Sequence, residues 1–183
     1  MEQFFSTVIT SALVATIAGA AINAWLESRK EKQVAKFDAL SAAVSLEGYA
    51  ITCAENLADH DLANASDGHA GSFIGKVPVL PDLSIVAGFI KPQKAEIAHR
   101  LMVFPQEVRQ ADQVAAFLWD VTVDVEATRA AAADQAARMG LYASELAKDI
   151  RRVFRLPKRD LVVGEFDVTK VLKENIRADG NDA

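Results

Sequence analysis

The sequence contains little of what disulfide-stapled and catalytic proteins need. Its single cysteine, Cys53, cannot form a disulfide within the chain. The apolar pattern AITCAENLA around Cys53 is typical of a small buried thiol. Three histidines, at positions 60, 69 and 99, form no nucleophile-and-base motif. The chain is therefore predicted not to be an enzyme, and it fits a reducing compartment.

Glycine and proline are also scarce, with 9 and 5 copies in 183 residues. Long irregular stretches should be few, and the abundance of Ala, Val, Leu, Glu, Lys and Arg favours helix. A composition of 51% hydrophobic and 25% charged residues is sufficient for one domain with a core. The net charge of -5, spread over acids and bases, argues against nucleic acid as a partner.

Charge is absent from Phe4 to Leu26, a run of 23 residues. As a helix it would be about 34 Å long, enough to cross a hydrocarbon layer of about 30 Å. An export signal fits less well, because residues 1–3 contain no base and the run is long for a signal, although Ala18-Gly19-Ala20 resembles a cleavage site. Residues 1–28 are therefore predicted to be a transmembrane anchor. A buried or membrane-surface helix is the remaining alternative.

Basic residues follow the uncharged run, whereas none precedes it. The positive-inside rule then places the remainder of the chain in the cytoplasm and the N-terminus on the far side. Trp25 lies where an interfacial aromatic residue is expected. We predict a single-pass membrane protein with a cytoplasmic helical bundle over residues 29–177. The basic flank consists of Arg29, Lys30, Lys32 and Lys36.

Small or hydrogen-bonding residues recur every four positions on one face of the predicted anchor. Helices in lipid associate through close packing and interhelical hydrogen bonds, so this stripe predicts self-association into a homo-oligomer. Small residues are also simply abundant in this run. Alternatively, the same face lines a pore formed by several copies, although the run supplies no charge for ion selectivity. The stripe consists of Thr7, Ser11, Ala15, Gly19 and Asn23.

The remainder of the chain has the spacing of an all-α antiparallel bundle. A long amphipathic helix is predicted to about Ala63, a loop over 64–82, and further helices up to Gly140 and over Leu141–Leu156. Pro105 is expected to restart or kink its helix. Residues 178–183 are predicted to form a disordered tail. The apolar positions of the first helix are Val34, Phe37, Leu40, Val44, Ile51 and either Leu57 or Ala58.

Two details of the second half concern helix boundaries. The stretch from Asp120 to Glu126 alternates with a period of two, as a strand does, but no turn residue bounds it, so helix is favoured. Asp167 is predicted to be the N-cap of a terminal helix that ends near Arg177.

Two acidic groups are candidate sites of metal binding or catalysis. In the first, Glu55 and Asp59 are one turn apart but His60 should point away, so a solvated helix end is favoured over a metal site. In the second, Asp120 and Asp124 should converge on one helix face, but neither His nor Lys lies nearby, so catalysis is not predicted. We predict no catalytic residue, cofactor or metal. The first group consists of Glu55, Asp59, His60, Asp61, Asp67 and His69.

A basic cluster near the end of the Leu141–Leu156 helix is the densest group of like charge in the chain. Cations there oppose the helix dipole. The alternative, in an anchored protein, is contact with anionic headgroups or an anionic partner, whereas nucleic acid would require more aromatic residues than Phe154. The cluster, which follows Lys148, consists of Arg151, Arg152, Arg155, Lys158 and Arg159. The sequence thus predicts an assembly or interaction module at a bilayer.

Overall fold

The computed structural model describes the backbone of residues 2–83 and 94–176, and the side chains of the first helix from residue 19 onwards. Helices make up most of this part of the chain, so the all-α prediction is confirmed. The predicted tail, 178–183, lies outside the described residues. The elements are α1 Glu2–Ala65, α2 Ala95–Thr122, α3 Val125–Phe154, β1 Val162–Val163, β2 Phe166–Asp167 and α4 Val168–Glu174.

Helix α1 is continuous over 64 residues, as the absence of proline and the helical spacing predicted. At about 1.5 Å per residue it is about 96 Å long. Side chains from residue 19 to 37 are exposed or half-buried, and burial begins at Ala39. Residues 19–37, here called the stalk, therefore extend beyond the bundle. Among the residues whose side chains the structure describes, 19–83 and 94–176, no helix is long and apolar enough to cross a membrane.

Helix α3 is antiparallel to both α1 and α2. Glu47 of α1 contacts Arg151 near the end of α3, whereas Cys53 lies against Gly140, further back along α3. On the other side, Arg100 near the start of α2 pairs with Asp149 near the end of α3 at 2.6 Å. Helices α1 and α2 are therefore parallel to each other, and their connection must return along the bundle. This requirement explains the long loop, which the sequence predicted.

Small residues pack α1 against α3. Alanine has little side chain, so two helix axes approach closely where alanines face each other. The buried alanines of α1 are Ala39, Ala42, Ala43, Ala50, Ala54 and Ala63, and those of α3 are Ala132, Ala133, Ala136, Ala137, Ala143 and Ala147. The larger residues whose spacing indicated a helix are divided: Leu57 is buried, but Val34, Phe37 and Val44 are exposed.

Gly140 does not end a helix, contrary to the prediction. It lies inside α3, where a Cβ atom would be 2.8 Å from the Cβ of Cys53 and 2.7 Å from Cδ2 of Leu172. Only glycine leaves room for this contact between α1, α3 and α4.

Two further boundaries differ from the prediction. Helix α2 does not restart at Pro105 but continues through it, because Leu101, Phe104 and Val108 on either side are buried in the core and hold it helical. By contrast, α2 ends at Thr122, and the next residue, Val123, has a left-handed φ of 52°. The alternating stretch is therefore neither strand nor continuous helix but a tight turn between two helices.

The terminal helix begins as predicted. The Asp167 carboxylate accepts a hydrogen bond from the Lys170 backbone N–H at 3.1 Å, which identifies Asp167 as the N-cap of α4. The helix ends at Glu174, three residues before the predicted Arg177. A two-residue antiparallel pair, in which Val163 is opposite Phe166, connects α3 to α4.

Candidate functional site

The predicted acidic and histidine group is spread around the end of α1. His60 is buried, and its Nδ1 accepts a hydrogen bond from the Ile74 backbone N–H at 3.3 Å. Asp61 instead accepts from the side-chain amide of Asn175 at 3.3 Å. Within the described residues, no three His, Cys, Asp or Glu side chains are grouped so that they could hold a metal ion.

His60 attaches the loop to α1. Burial lowers the pKa of His60, Asp61 raises it and Arg129 lowers it further. A neutral ring keeps Nδ1 free to accept from Ile74. Next to this bond, Gly71 has a φ of 74°, and a Cβ atom there would lie 2.2 Å from the Asp59 carbonyl oxygen. These contacts give His60 a structural role in holding the loop.

Asp120 and Asp124 do not converge on one helix face, contrary to the prediction. Asp124 is the N-cap of α3, and its Oδ1 accepts from the backbone N–H groups of Glu126 at 2.9 Å and Ala127 at 3.1 Å. Because Asp120 lies in α2 and Asp124 caps α3, the two carboxylates belong to different helices. Two capping hydrogen bonds give this side chain a local structural role.

Cys53 is a buried thiol, as predicted. Burial raises its pKa to about 12, so it remains protonated at neutral pH. Burial also raises the pKa of the neighbouring Tyr49 phenol. Since the thiolate is the nucleophile, Cys53 is chemically quiet in the folded chain.

The basic cluster contains an internal part. Arg151 is buried and donates to both carboxylate oxygens of Glu47, from Nε at 2.5 Å and from Nη2 at 2.9 Å. It also donates to the Pro157 carbonyl at 2.8 Å, and Arg159 adds a second ion pair to Glu47 at 3.0 Å. The hydrogen bonds to Glu47 raise the pKa of Arg151. This network fastens the chain after α3 onto α1.

The other members of the cluster face solvent. Arg152 pairs with Asp149, and Arg155 has a left-handed φ of 54° at the end of α3. With Lys148 and Lys158 they line an open cavity of about 720 Å³ that also contains Glu145 and Asp160. We call Lys148, Arg152, Arg155 and Lys158 the basic end of the bundle. Because Arg151 contacts Glu47, this end is the one from which the stalk emerges.

The bases of the stalk are exposed along one helix. The Arg29 guanidinium lies 4.6 Å from the centre of the Trp25 ring, a cation–π contact. Gly19 and Asn23 of the predicted self-association stripe are exposed as well, whereas Thr7, Ser11 and Ala15 lie outside the described side chains. The other exposed bases of this segment are Lys30, Lys32 and Lys36.

Directly opposite the core, α1 presents a second apolar face that sequence reasoning did not separate from the first. The exposed fractions of Val34, Phe37 and Val44 are 56%, 72% and 44%. Gly48 continues this face, and no atom lies within 4 Å of a Cβ atom placed on it. We call Val34, Phe37, Ser41, Val44 and Gly48 the outer face of α1. The alternation of three and four in their spacing was a signal available in the sequence.

The turn between α2 and α3 carries another apolar surface. Phe117, Trp119, Val121 and Val123 are exposed there, and Asp120 lies among them. This tip is at the opposite end of the bundle from the stalk, because α3 runs from the tip to the basic end.

Comparisons with known proteins provide no relative. No protein-family model matches the sequence, no curated protein is significantly similar to it, and no solved structure matches its fold. The function is therefore inferred from the exposed surfaces described above.

Proposed function

We propose that this chain is a membrane-anchored assembly module whose first helix is held in a bilayer and whose bundle lies in the cytoplasm. The observation that supports it best is the continuity of α1, which joins an uncharged run, a basic flank and the bundle in one helix. A helix fixed in lipid at one end holds whatever is built on its other end at a set distance.

The uncharged run supplies the anchor of this proposal. Phe4 to Leu26 is long enough for the hydrocarbon layer, and Trp25 lies at the boundary where indole rings are favoured. Arg29 and the exposed lysines that follow would then lie in the headgroup layer on the cytoplasmic side, where anionic lipids attract them.

The basic end has a different role in this arrangement. Glu47, which marks its level, is 21 residues beyond Leu26, about 32 Å along the helix axis. The Debye length at physiological salt is about 8 Å, so an upright α1 holds the basic end beyond the reach of headgroup charge. The bases of the stalk are therefore assigned to lipid. Those of the basic end are assigned to an anionic partner, or to lipid only when α1 tilts.

Assembly would proceed through α1. The four-residue repeat that includes Gly19 and Asn23 lets backbones approach within lipid, and a pore lined by the same face is the second form such an assembly takes. Conductance of the purified chain in planar bilayers distinguishes the two, because packed helices conduct no ions.

Alkaline extraction of membranes from cells that express the full chain tests the anchor. The wild-type chain should stay in the pellet, and the double variant Ile9→Lys and Leu13→Lys should be released, since two charges in the hydrocarbon core are costly. A matched control places the same two charges at Val121 and Val123, where both side chains are exposed, and should stay in the pellet. An intact wild-type chain in the soluble fraction, or a mature chain that begins near position 21, contradicts the proposal.

A further inference from the structure

We infer that two copies of this chain pair side by side and in parallel through the outer face of α1. The inference deepens the proposed function, because it identifies the partner in assembly as a second copy and the contact as a segment of the bundle's own helix. It rests on the self-association part of that proposal. It does not depend on insertion of the first residues into lipid.

The first observation is the direction in which large side chains point. Val34, Phe37 and Val44 are exposed, whereas the buried side of the same helix combines alanines with larger residues such as Leu46 and Tyr49. Steps of three, four, three and four residues, from Val34 to Gly48, keep a stripe along one side of a helix that packs lengthwise against another. The stripe faces away from α3, so no element of the described chain covers it.

The second observation is a glycine without a role in the single copy. Glycine is among the least favourable residues inside a helix, so its presence in one usually reflects a close approach. Gly140 fits this rule within the chain, but Gly48 has nothing within 4 Å of its missing Cβ. Ser41, one heptad earlier, is small as well. A second helix packed on this face explains both residues.

The third observation is the sign of the flanking charges. A helix turns about 100° per residue, so Glu31 and Asp38 lie along one edge of the outer face and Arg29 and Lys36 along the other. In a parallel two-fold pair the opposite edges of the two helices meet, and acids face bases. In an antiparallel pair like edges meet, and like charges repel. The charges therefore select the parallel arrangement.

Charged residues on either side set the limits of the contact. Beyond Gly48 the face becomes acidic at Glu55 and Asp59, where parallel copies would bring like charges together. Towards the stalk, Lys30 interrupts it before Leu26 and Asn23 continue it. Residues 34–48 thus form the apolar contact, about 21 Å long.

Single introduced cysteines in the full chain, in membranes, test the pairing. The native Cys53 is buried with a pKa of about 12, so it does not react under mild oxidation. A disulfide requires Cα atoms within about 7 Å, as paired stripes provide. Val34→Cys and Val44→Cys should each form cross-linked dimers, at least about tenfold more than Met102→Cys, an exposed control on α2.

Cross-linking at two positions also establishes whether the two copies of α1 are parallel or antiparallel. The two positions are ten residues apart, about 15 Å along the helix, so an antiparallel pair brings at most one of them next to its own copy. Cross-linking at both supports a parallel pair. Cross-linking at one or neither, or at the level of the Met102→Cys control, overturns the inference.

The detergent-solubilised mass of Gly48→Leu is a second measurement. Gly48 is exposed and a Cβ atom there meets no side chain of the described chain, so the circular dichroism and melting temperature of the bundle should not fall. The dimer dissociation constant should rise at least about tenfold, because the side chain holds the two backbones apart. An unchanged dissociation constant contradicts the pairing.

The outcomes separate this inference from the proposed function. A chain that is released by alkaline wash, but that cross-links at both positions, contradicts the proposed membrane anchor and supports the pairing. A chain that stays in the membrane as an oligomer, but cross-links at neither position, supports assembly through the anchor and overturns the pairing.

Discussion

The two faces of α1 differ in a way that hydropathy alone does not anticipate. The inner face, which packs on α3, is built largely from alanines such as Ala42 and Ala43, whereas the outer face displays Phe37 and Val44. Larger buried residues such as Tyr49 fill the inner face around these alanines, whereas the apolar residues of the outer face have no partner within the described chain. A face with large side chains is not necessarily the face that folds the chain.

Two of the helical glycines, Gly140 and Gly48, show the same contrast. Gly140 in α3 contacts Cys53 and Leu172, so the single chain requires a glycine there. Among the described residues, no side chain lies within 4 Å of a Cβ atom placed on Gly48 in α1. Gly140 is therefore required by the fold of one chain, whereas Gly48 fits the proposed contact with a second copy.

The largest expected difference between buried and exposed sites of α1 concerns Glu47. Glu47→Ala leaves Arg151 buried without its carboxylate and should lower the free energy of unfolding by about 3–5 kcal/mol. Phe37→Ala removes an exposed ring and should change it by less than about 0.5 kcal/mol in the monomer. Urea unfolding of both variants in mild detergent, at concentrations where the chain is monomeric, compares them.

Equal losses of unfolding free energy in Glu47→Ala and Phe37→Ala would contradict the contrast between buried and exposed sites. Glu31→Ala, at an exposed position of the stalk, is the matched control for removing a carboxylate. It should behave as Phe37→Ala does.

Gly140→Ala is the next largest change. The added methyl group would lie 2.7 Å from Leu172 and 2.8 Å from Cys53, and overpacking of this kind should lower the free energy of unfolding by about 1–3 kcal/mol. Thermal melting followed by circular dichroism measures it. A gain in stability would show that α3 and α1 are further apart at this point than the structure places them.

Gly48→Ala should have the opposite sign. Alanine is favoured over glycine by about 1 kcal/mol inside a helix, and the new methyl group meets nothing in the chain, so the monomer should become more stable. The same melting experiment, at low protein concentration, checks the sign. A loss of stability would mean that the outer face is crowded within one copy.

The smallest expected effect is a dependence on pH through His60. Its folded-state pKa lies below the ordinary 6.5, so the unfolded chain takes up more protons on acidification. The free energy of unfolding should therefore fall as the pH drops through and below 6.5. His60→Gln should remove this contribution from the pH profile of urea unfolding, whereas His99→Gln, at an exposed site, should retain it.

Local signals predicted the elements whose physics is local. Asp167 was recognised as an N-cap because a carboxylate before a helix has one obvious use. Asp124 has the same role, but the valines on either side of it concealed the turn. A restart or a kink was expected at Pro105, and the helix does not restart there because the buried residues around it override that preference.

Contacts between distant segments left no such signal. Glu47 and Arg151 are 104 positions apart, and each belongs to an ordinary helical pattern. The orientation of α1 depends on α3 in the same way, since only the packed bundle distinguishes its alanine face from its valine and phenylalanine face.

The mass of the full chain extracted in mild detergent, corrected for bound detergent, tests the central claim that α1 assembles copies of this protein. We expect a dimer or a multiple of two, and a shift towards the monomer in Phe37→Glu but not in Met102→Glu, which alters another exposed apolar residue, on α2. A wild-type chain that stays monomeric in detergent, at protein concentrations well above its concentration in the membrane, would contradict the claim that α1 assembles copies of this protein.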